Sequence, residues 1–422
     1  MTWHPHLWHP TTQVATSPAP LRVRSARGSE LELEDGRRLI DAISSWWVTL
    51  HGHAEPAIAA AVARQAQQLE QVIFANFSHE PAEQLATRLS ALTGLQRLFF
   101  SDNGSTAVEV ALKIAWQWWR NQSSERRQLI AFEGAYHGDT VGTMALGDRS
   151  LFTAAYEPLL FDVARVGWPH SHWGDDSVEP REQQALGQLE LALETPTAAV
   201  IFEPLIQGAS GMRVVRPAFL RAVAARVQAA GALLIADEVF TGFGRTGALF
   251  ACQKAGIQPD LMALSKGLTG GFLPMGATMA SERLYQGFIS EKPSDTFFHG
   301  HSFTANPLGC AAALASLDLL QQNPGRFEGF EQRHTPLLEQ LSRQPRVLRP
   351  RCLGTMAAFE LDAGENSYLN PIGKLIQRQC LEHGVYLRPL GNVVYLLPPL
   401  GSSDEQLQQC YQALEQAIAA LG

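Results

Sequence analysis

The chain has 422 residues, more than one simple core accommodates, so two or more domains are expected. Apolar residues make up 45% and the formal net charge is −8 without a long run of either sign, which argues against a disordered chain, a nucleic-acid-binding face or a polybasic membrane contact. No apolar run reaches the length of a membrane span, the first ten residues lack the apolar stretch of a signal peptide, and the five scattered cysteines, with no Cys-x-x-Cys, read as reduced thiols of a cytoplasmic protein.

In chain order, residues 29 to 50 read as short strands and turns, with Glu34-Asp-Gly-Arg37 as a hairpin turn. His51 and His53 suit one face of a strand, but no third ligand joins them and no metal site is expected. Helices are predicted over residues 56 to 71, opened by proline, and over 81 to 92. Leu98-Phe-Phe100 is a short apolar strand. It leads through Asp102-Asn-Gly104-Ser105-Thr106 into a helix that carries Val108, Leu112, Ala115 and Trp119 on one face. A strand over 128 to 132 precedes the loop Gly134-Ala-Tyr136-His137-Gly-Asp139, and residues 168 to 187 read as a polar surface excursion. Residues 197 to 203 form a continuous apolar strand ending in Glu203-Pro204, and a helix over 217 to 230 follows. This alternation predicts an α/β fold with a mostly parallel sheet covered on both faces. Beyond a long helix over 308 to 321 the pattern becomes that of a smaller α+β domain. The expected division is residues 1–50 joining the small domain, 51–307 as the large domain and 308–422 as the C-terminal small domain.

The chemistry concentrates at strand ends. Ala232-Leu-Leu-Ile-Ala-Asp237 is an apolar strand that delivers an acid, and Leu261-Met-Ala-Leu-Ser265-Lys266 is a second that delivers a lone lysine. Buried charges are costly unless paired or functional. An acid and a lysine on neighbouring strand ends suit pyridoxal phosphate: the lysine forms the Schiff base and the acid keeps the pyridine nitrogen protonated. Gly104, Ser105 and Thr106 at a helix start suit a phosphate, although a plain N-cap is the commoner use of such residues. Tyr136 suits stacking on a flat ring or ordinary packing, and Arg388, closing the apolar run before Pro389, suits a substrate carboxylate or a surface ion pair. Trp46 and Trp47, read as adjacent strand residues, would face opposite ways, so one of them at most faces a pocket. Each residue alone has a bland alternative. In this order together they supply a phosphate site, a ring stack, a pyridinium partner and an amine.

Over nearly its whole length the chain resembles the class III aminotransferases of pyridoxal phosphate fold type I. The resemblance rests on Glu203-Pro204…Gly211, on Ala236-Asp237-Glu238-Val-Phe-Thr-Gly-Phe-Gly-Arg245-Thr-Gly247 and on Ser265-Lys266-Gly267. Leu7-Trp-His-Pro10, Ile43-Ser-Ser-Trp46-Trp47, Tyr136-His-Gly-Asp139-Thr140, His299-Gly300-His-Ser302-Phe303 and Leu387-Arg388-Pro389 are similar to the branch of biotin biosynthesis. That branch moves the α-amino group of S-adenosylmethionine to 8-amino-7-oxononanoate, in ping-pong order through pyridoxamine phosphate. The resemblance implies a homodimer with shared active sites, pyridoxal 5'-phosphate as cofactor and Lys266 as Schiff-base lysine and general base. It implies Asp237 at the ring nitrogen, Tyr136 stacked on the ring, and Gly104 and Ser105 at the phosphate with Ser302 from the other subunit. Trp46, Arg388, Gly300, Tyr395 and Asp139 would lie against substrate, and Arg245 on the pocket side. Two departures bear on specificity. Thr11 stands where that branch often has an aromatic, which keeps another donor, such as lysine, as an alternative. The segment Gln207-Gly-Ala-Ser-Gly211 lacks the glutamate, and Phe240 replaces the glutamine, of members that use ornithine or 4-aminobutyrate.

Overall fold

The computed structural model describes residues 3–364 and 367–421. The chain opens with an antiparallel set, β1 (Val23–Arg27), β2 (Glu30–Leu33) and β3 (Arg38–Asp41). The turn between β2 and β3 is the expected one: Gly36 has φ +86°, a left-handed angle that glycine takes without a Cβ clash, and the Asp35 carboxylate accepts the Arg37 backbone N–H.

The central sheet contains β4 (Arg97–Ser101), β5 (Gln128–Phe132), β6 (Ala164–Val166) and β7 (Thr197–Phe202). A small hairpin follows, β8 (Ile206–Gln207) with β9 (Arg213–Val214). The sheet then gains β10 (Leu233–Asp237), β11 (Leu261–Leu264) and β12 (Gly276–Ala280). Its spatial order is β4-β12-β11-β10-β7-β5-β6, and among these pairings β12 alone runs against its neighbours. Every residue of β7 and β10 is buried, as expected for strands covered by helices on both faces. Burial of each Leu or Ile side chain there contributes about 2 kcal/mol. These fixed strands all present their carboxyl ends to one region.

The helix Gly104–Asn121 starts where β4 ends, closed by a reciprocal capping box of Asn103 and Thr106. Val108, Leu112 and Ala115 are buried, while Trp119 is half-buried and donates through Nε1 to the Ala198 carbonyl at 2.8 Å. The last sheet pairs β13 (Val347–Leu353), β14 (Met356–Leu361) and, after the short β15 (Val385–Tyr386), β16 (Val393–Leu396). β15 leaves that sheet and pairs in parallel with β3, so the two ends of the chain share one sheet. Helices Phe330–Leu341, Ile372–Glu382 and Asp404–Ala419 complete this region. All five cysteines are free and buried.

Three expectations are corrected. Residues 168 to 187 are not a surface excursion: Trp168 packs edge-on against Phe132 and Phe219, and a helix, Val178–Leu193, begins inside the stretch. Pro180 in its first turn and the buried Val178, Ala185 and Leu186 mark an amphipathic helix whose many polar residues disguised it. The tryptophan pair lies in a tight turn, Ser44–Trp47, rather than a strand. The buried Asp41 carboxylate accepts the backbone N–H groups of Ile43 and Ser45 and bends the chain, leaving Ser44, Ser45 and Trp47 at φ +51°, +61° and +68°. The predicted helix 56–71 ends at Ala66, where Gln65 turns back to donate to the Leu69 carbonyl.

Candidate active site

The carboxyl ends of β10 and β11, the loop after β5 and the first turn of the Gly104–Asn121 helix surround a cavity of about 630 Å³. Gly104, Ser105, Tyr136, Asp139, Asp237 and Lys266 all line it. This is the site that doubly wound sheets form outside their strand ends.

Lys266 follows β11 at φ +44°, a strained left-handed angle for a non-glycine residue. Its ammonium lies 4.7 Å from the Trp47 ring centre and 5.6 Å from that of Phe240. Burial lowers its pKa from the ordinary 10.5 to about 8, with the Asp237 and Glu203 charges opposing the fall and Arg245 assisting it. Asp237 closes β10. Its carboxylate accepts from His137 Nδ1 at 2.7 Å and from the Val239 backbone N–H at 3.0 Å. The buried His137 Nε2 has no partner among the described residues. Glu203, at the end of β7, accepts the backbone N–H groups of Tyr136 and Gly208. Burial pushes its carboxyl up to about 7; the Asp237 charge adds to the rise and His137 opposes it. Tyr136 sits between these acids and Asp139, and burial first, then their charges, raises its phenol well above the ordinary 10.

At the helix start, the Asn103 and Thr106 side chains are committed to the cap, and Gly104 and Ser105 face the cavity beside Asn103. Ser105 Oγ accepts the Asp139 backbone N–H at 3.0 Å. Gly138 has φ +132°, and a Cβ there would lie 1.9 Å from Ser105 Oγ, so the loop approaches the helix start as closely as glycine allows. An 18-residue helix with its amino end on the cavity, a serine hydroxyl, an aromatic ring, a carboxylate and a lysine amine fit pyridoxal phosphate.

The remaining sequence-predicted residues lie outside this lining. Trp47 faces the cavity, and Trp46 is exposed beneath Arg388, whose guanidinium carbon lies 4.8 Å above its ring. Tyr395 is buried behind Trp47 and its hydroxyl accepts Trp47 Nε1 at 3.0 Å, so it touches the cavity wall rather than the cavity. Arg245 is also one layer back, donating to the carbonyls of Trp47 and Pro398; burial pushes its pKa down to about 9 against the pull of Asp41. Gly300 and Ser302 are exposed on the surface of this chain. His51 binds Ser316, and His53 binds Asp41. Among the described residues no group of three or more His, Cys, Asp or Glu could hold a metal ion, and no helix is long and apolar enough to cross a membrane. A second cavity of about 700 Å³ shares Tyr136, Gly138 and Asp139 with the first and extends the space beyond a cofactor. Sequence alone assigns no role to Glu203 or His137 and leaves open which of Trp46 and Trp47 faces the pocket; the structure gives that place to Trp47. Glu203 was findable, since it repeats the pattern of an apolar strand ending in an acid.

This site on this fold is that of the class-III aminotransferase family, which matches residues 11–418, and the chain belongs to it. An adenosylmethionine-8-amino-7-oxononanoate aminotransferase of Synechococcus elongatus is 57% identical over 417 residues, covering 98% of both chains. One of Geobacter sulfurreducens is 39% identical, covering 98% of this chain and 95% of its own. Among solved structures, the adenosylmethionine-8-amino-7-oxononanoate aminotransferase of Methanocaldococcus jannaschii superposes with TM-score 0.91 at 31% identity, covering 98% of this chain and 97% of its own. A PLP-bound amine transaminase from an uncultivated Pseudomonas species superposes with TM-score 0.92 at 29% identity, covering 99% of both.

Proposed function

We propose that this protein transfers the α-amino group of S-adenosylmethionine to 8-amino-7-oxononanoate, giving 7,8-diaminononanoate for biotin synthesis. The observation that carries the reading is the convergence of Lys266, Asp237, Tyr136, Gly104 and Ser105 on one cavity, in a chain 57% identical to a relative of that name. Bound pyridoxal phosphate supplies an electron-accepting ring and carries the amino group between the two substrates.

The chain's own residues do the rest. The first turn of the helix, with Gly104 and Ser105, holds the phosphate against a positive dipole end. Tyr136, on the cavity wall, would lie against the ring. Asp237 is aligned by His137 and holds a proton at the ring nitrogen through its carboxylate. Lys266 would hold the cofactor through its amine and would move the substrate proton. Burial, which lowers its pKa to about 8 in the cofactor-free chain, favours the neutral amine that this role needs. Arg388 receives the carboxylate of the acceptor, with Trp46 against substrate beside it, and Asp139 and Tyr395 shape the pocket directly and through Trp47.

The working form is a homodimer in the cytoplasm. Ser302 and Gly300 lie in the chain between the exposed Phe298 and Phe303, and Gln71, two residues before the exposed Ile73, ties the two loops by donating to the Ser302 carbonyl. An apolar rim of this kind supports pairing with a second copy that receives Ser302 at its phosphate site. The parallel β3–β15 pairing supports residues 1–50 as part of the small domain, with 51–307 as the large domain and 308–422 completing the small one.

The test is the absorbance of cofactor-loaded protein mixed with S-adenosylmethionine alone. Conversion of the cofactor to its aminated form supports this donor. No change, with conversion by lysine in parallel, replaces the donor.

A further inference from the structure

Among the described residues Arg388 makes no ion pair. Its neighbours are the Trp46 ring at 4.8 Å, the Tyr386 hydroxyl beside it, and the Thr11 hydroxyl, which accepts from Nη2 at 2.8 Å. Thr11 is unusual in its own right. It is exposed, yet it holds φ +47°, which a β-branched residue adopts only under constraint. Its sole described side-chain hydrogen bond is the one to Arg388, and no helix or strand occurs among the described residues before Val23. An otherwise loosely held segment is therefore pinned onto the guanidinium from 377 positions away.

We propose that Thr11 is a positioning residue for Arg388 that sets affinity for the carboxylate of the acceptor. A guanidinium carries five donors in a rigid fork. With Nη2 engaged by a neutral hydroxyl, the Tyr386 hydroxyl hydrogen-bonded beside it and one face resting on Trp46, the fork is oriented without loss of charge, and its remaining donors stay available for contact with a carboxylate. An acid in place of the hydroxyl would orient the fork equally well but would neutralise it. The inference rests on the reading of Arg388 as the carboxylate receptor.

The probe is octanoate, a simple medium-chain carboxylate, titrated calorimetrically into cofactor-loaded protein, with Thr11→Val removing the hydroxyl at constant shape and Thr11→Ser restoring it. Thr11→Val should weaken octanoate binding about fivefold, and Thr11→Ser should bind within about twofold of the parent, as expected for one exposed hydrogen bond to a charged group. The KM for 8-amino-7-oxononanoate should rise by a similar factor with kcat little changed, and Thr11→Val should add nothing in an Arg388→Ala background. Equal octanoate affinity in Thr11→Val and the parent, a loss that persists in Arg388→Ala, or no octanoate binding by the parent would each overturn the inference. A parent protein that binds octanoate but does not aminate 8-amino-7-oxononanoate would refute the proposed substrate alone, because the titration is read without turnover.

Discussion

Lys266 attacks a carbonyl only as the neutral amine, so the rate at which cofactor-free protein captures pyridoxal phosphate reports its protonation directly. Burial brings its pKa from 10.5 to about 8. At pH 7.5 an amine of pKa 8 is about one-quarter neutral, whereas one of pKa 10.5 is about one-thousandth neutral, so the cavity accelerates capture roughly 200-fold through this effect alone. Stopped-flow absorbance between pH 6 and 10 should show a capture rate that climbs with pH and bends near 8. A bend at or above pH 10 would refute the argument that burial outweighs the nearby Asp237 and Glu203. Stability carries the same sign. The lowered pKa means that between about 8 and 10.5 the unfolded lysine binds a proton that the folded one does not, so cofactor-free protein gains stability as pH rises through that window. Below pH 8 the cost of the buried ammonium is fully present, at most about 3 kcal/mol and less to the extent that cavity water screens it. Cofactor-free Lys266→Met should therefore be more stable than the parent at pH 7, and the difference should shrink by pH 10 in thermal melts.

Three further outcomes follow from the same geometry. Gly138→Ala places a Cβ 1.9 Å from Ser105 Oγ and should cut cofactor affinity at least about tenfold by equilibrium titration; unchanged affinity would show that the loop yields without disturbing the phosphate site. Asp237→Asn removes the charge that supports the lysine ammonium, so the bend in capture rate should move below pH 8, while turnover falls about 100-fold or more. An unimpaired rate with S-adenosylmethionine would sink the ring-nitrogen role. Trp47→Phe deletes the buried 3.0 Å bond to the Tyr395 hydroxyl and should cost about 1–3 kcal/mol, read as a lower thermal midpoint with cofactor bound; Tyr395→Phe in addition should recover part of that loss.

Much of the site is legible in the chain itself because its signals are local. Asp237 closes a run of wholly apolar residues and Lys266 follows another by one serine, and a charge at the end of a buried strand stands out without a partner in view. The phosphate end is legible for the same reason, since Asn103 to Thr106 lies where a strand stops and an amphipathic helix starts. Local pattern also has limits. The polar residues of 168 to 187 concealed a helix because its apolar face is short, and the Ser44–Trp47 turn arises from the Asp41 carboxylate capturing backbone N–H groups that a strand would have left to a neighbour.

The sequence by itself determined the strands that end at the site and the helix that starts there, the residues whose charge had to be either paired or useful, and the chemistry those residues can perform. Only the tertiary structure decided that His137, 100 positions from Asp237, aligns its carboxylate, that Glu203 joins them as a third buried acid-site residue, and that Trp47 rather than Trp46 walls the cavity. It also placed Tyr395 and Arg245 one layer behind that wall and brought Thr11 to Arg388. The physical reason is that periodicity and composition record the free energy of burying each segment, whereas these contacts depend on which buried surfaces meet, and that is settled only when sheets and helices pack together.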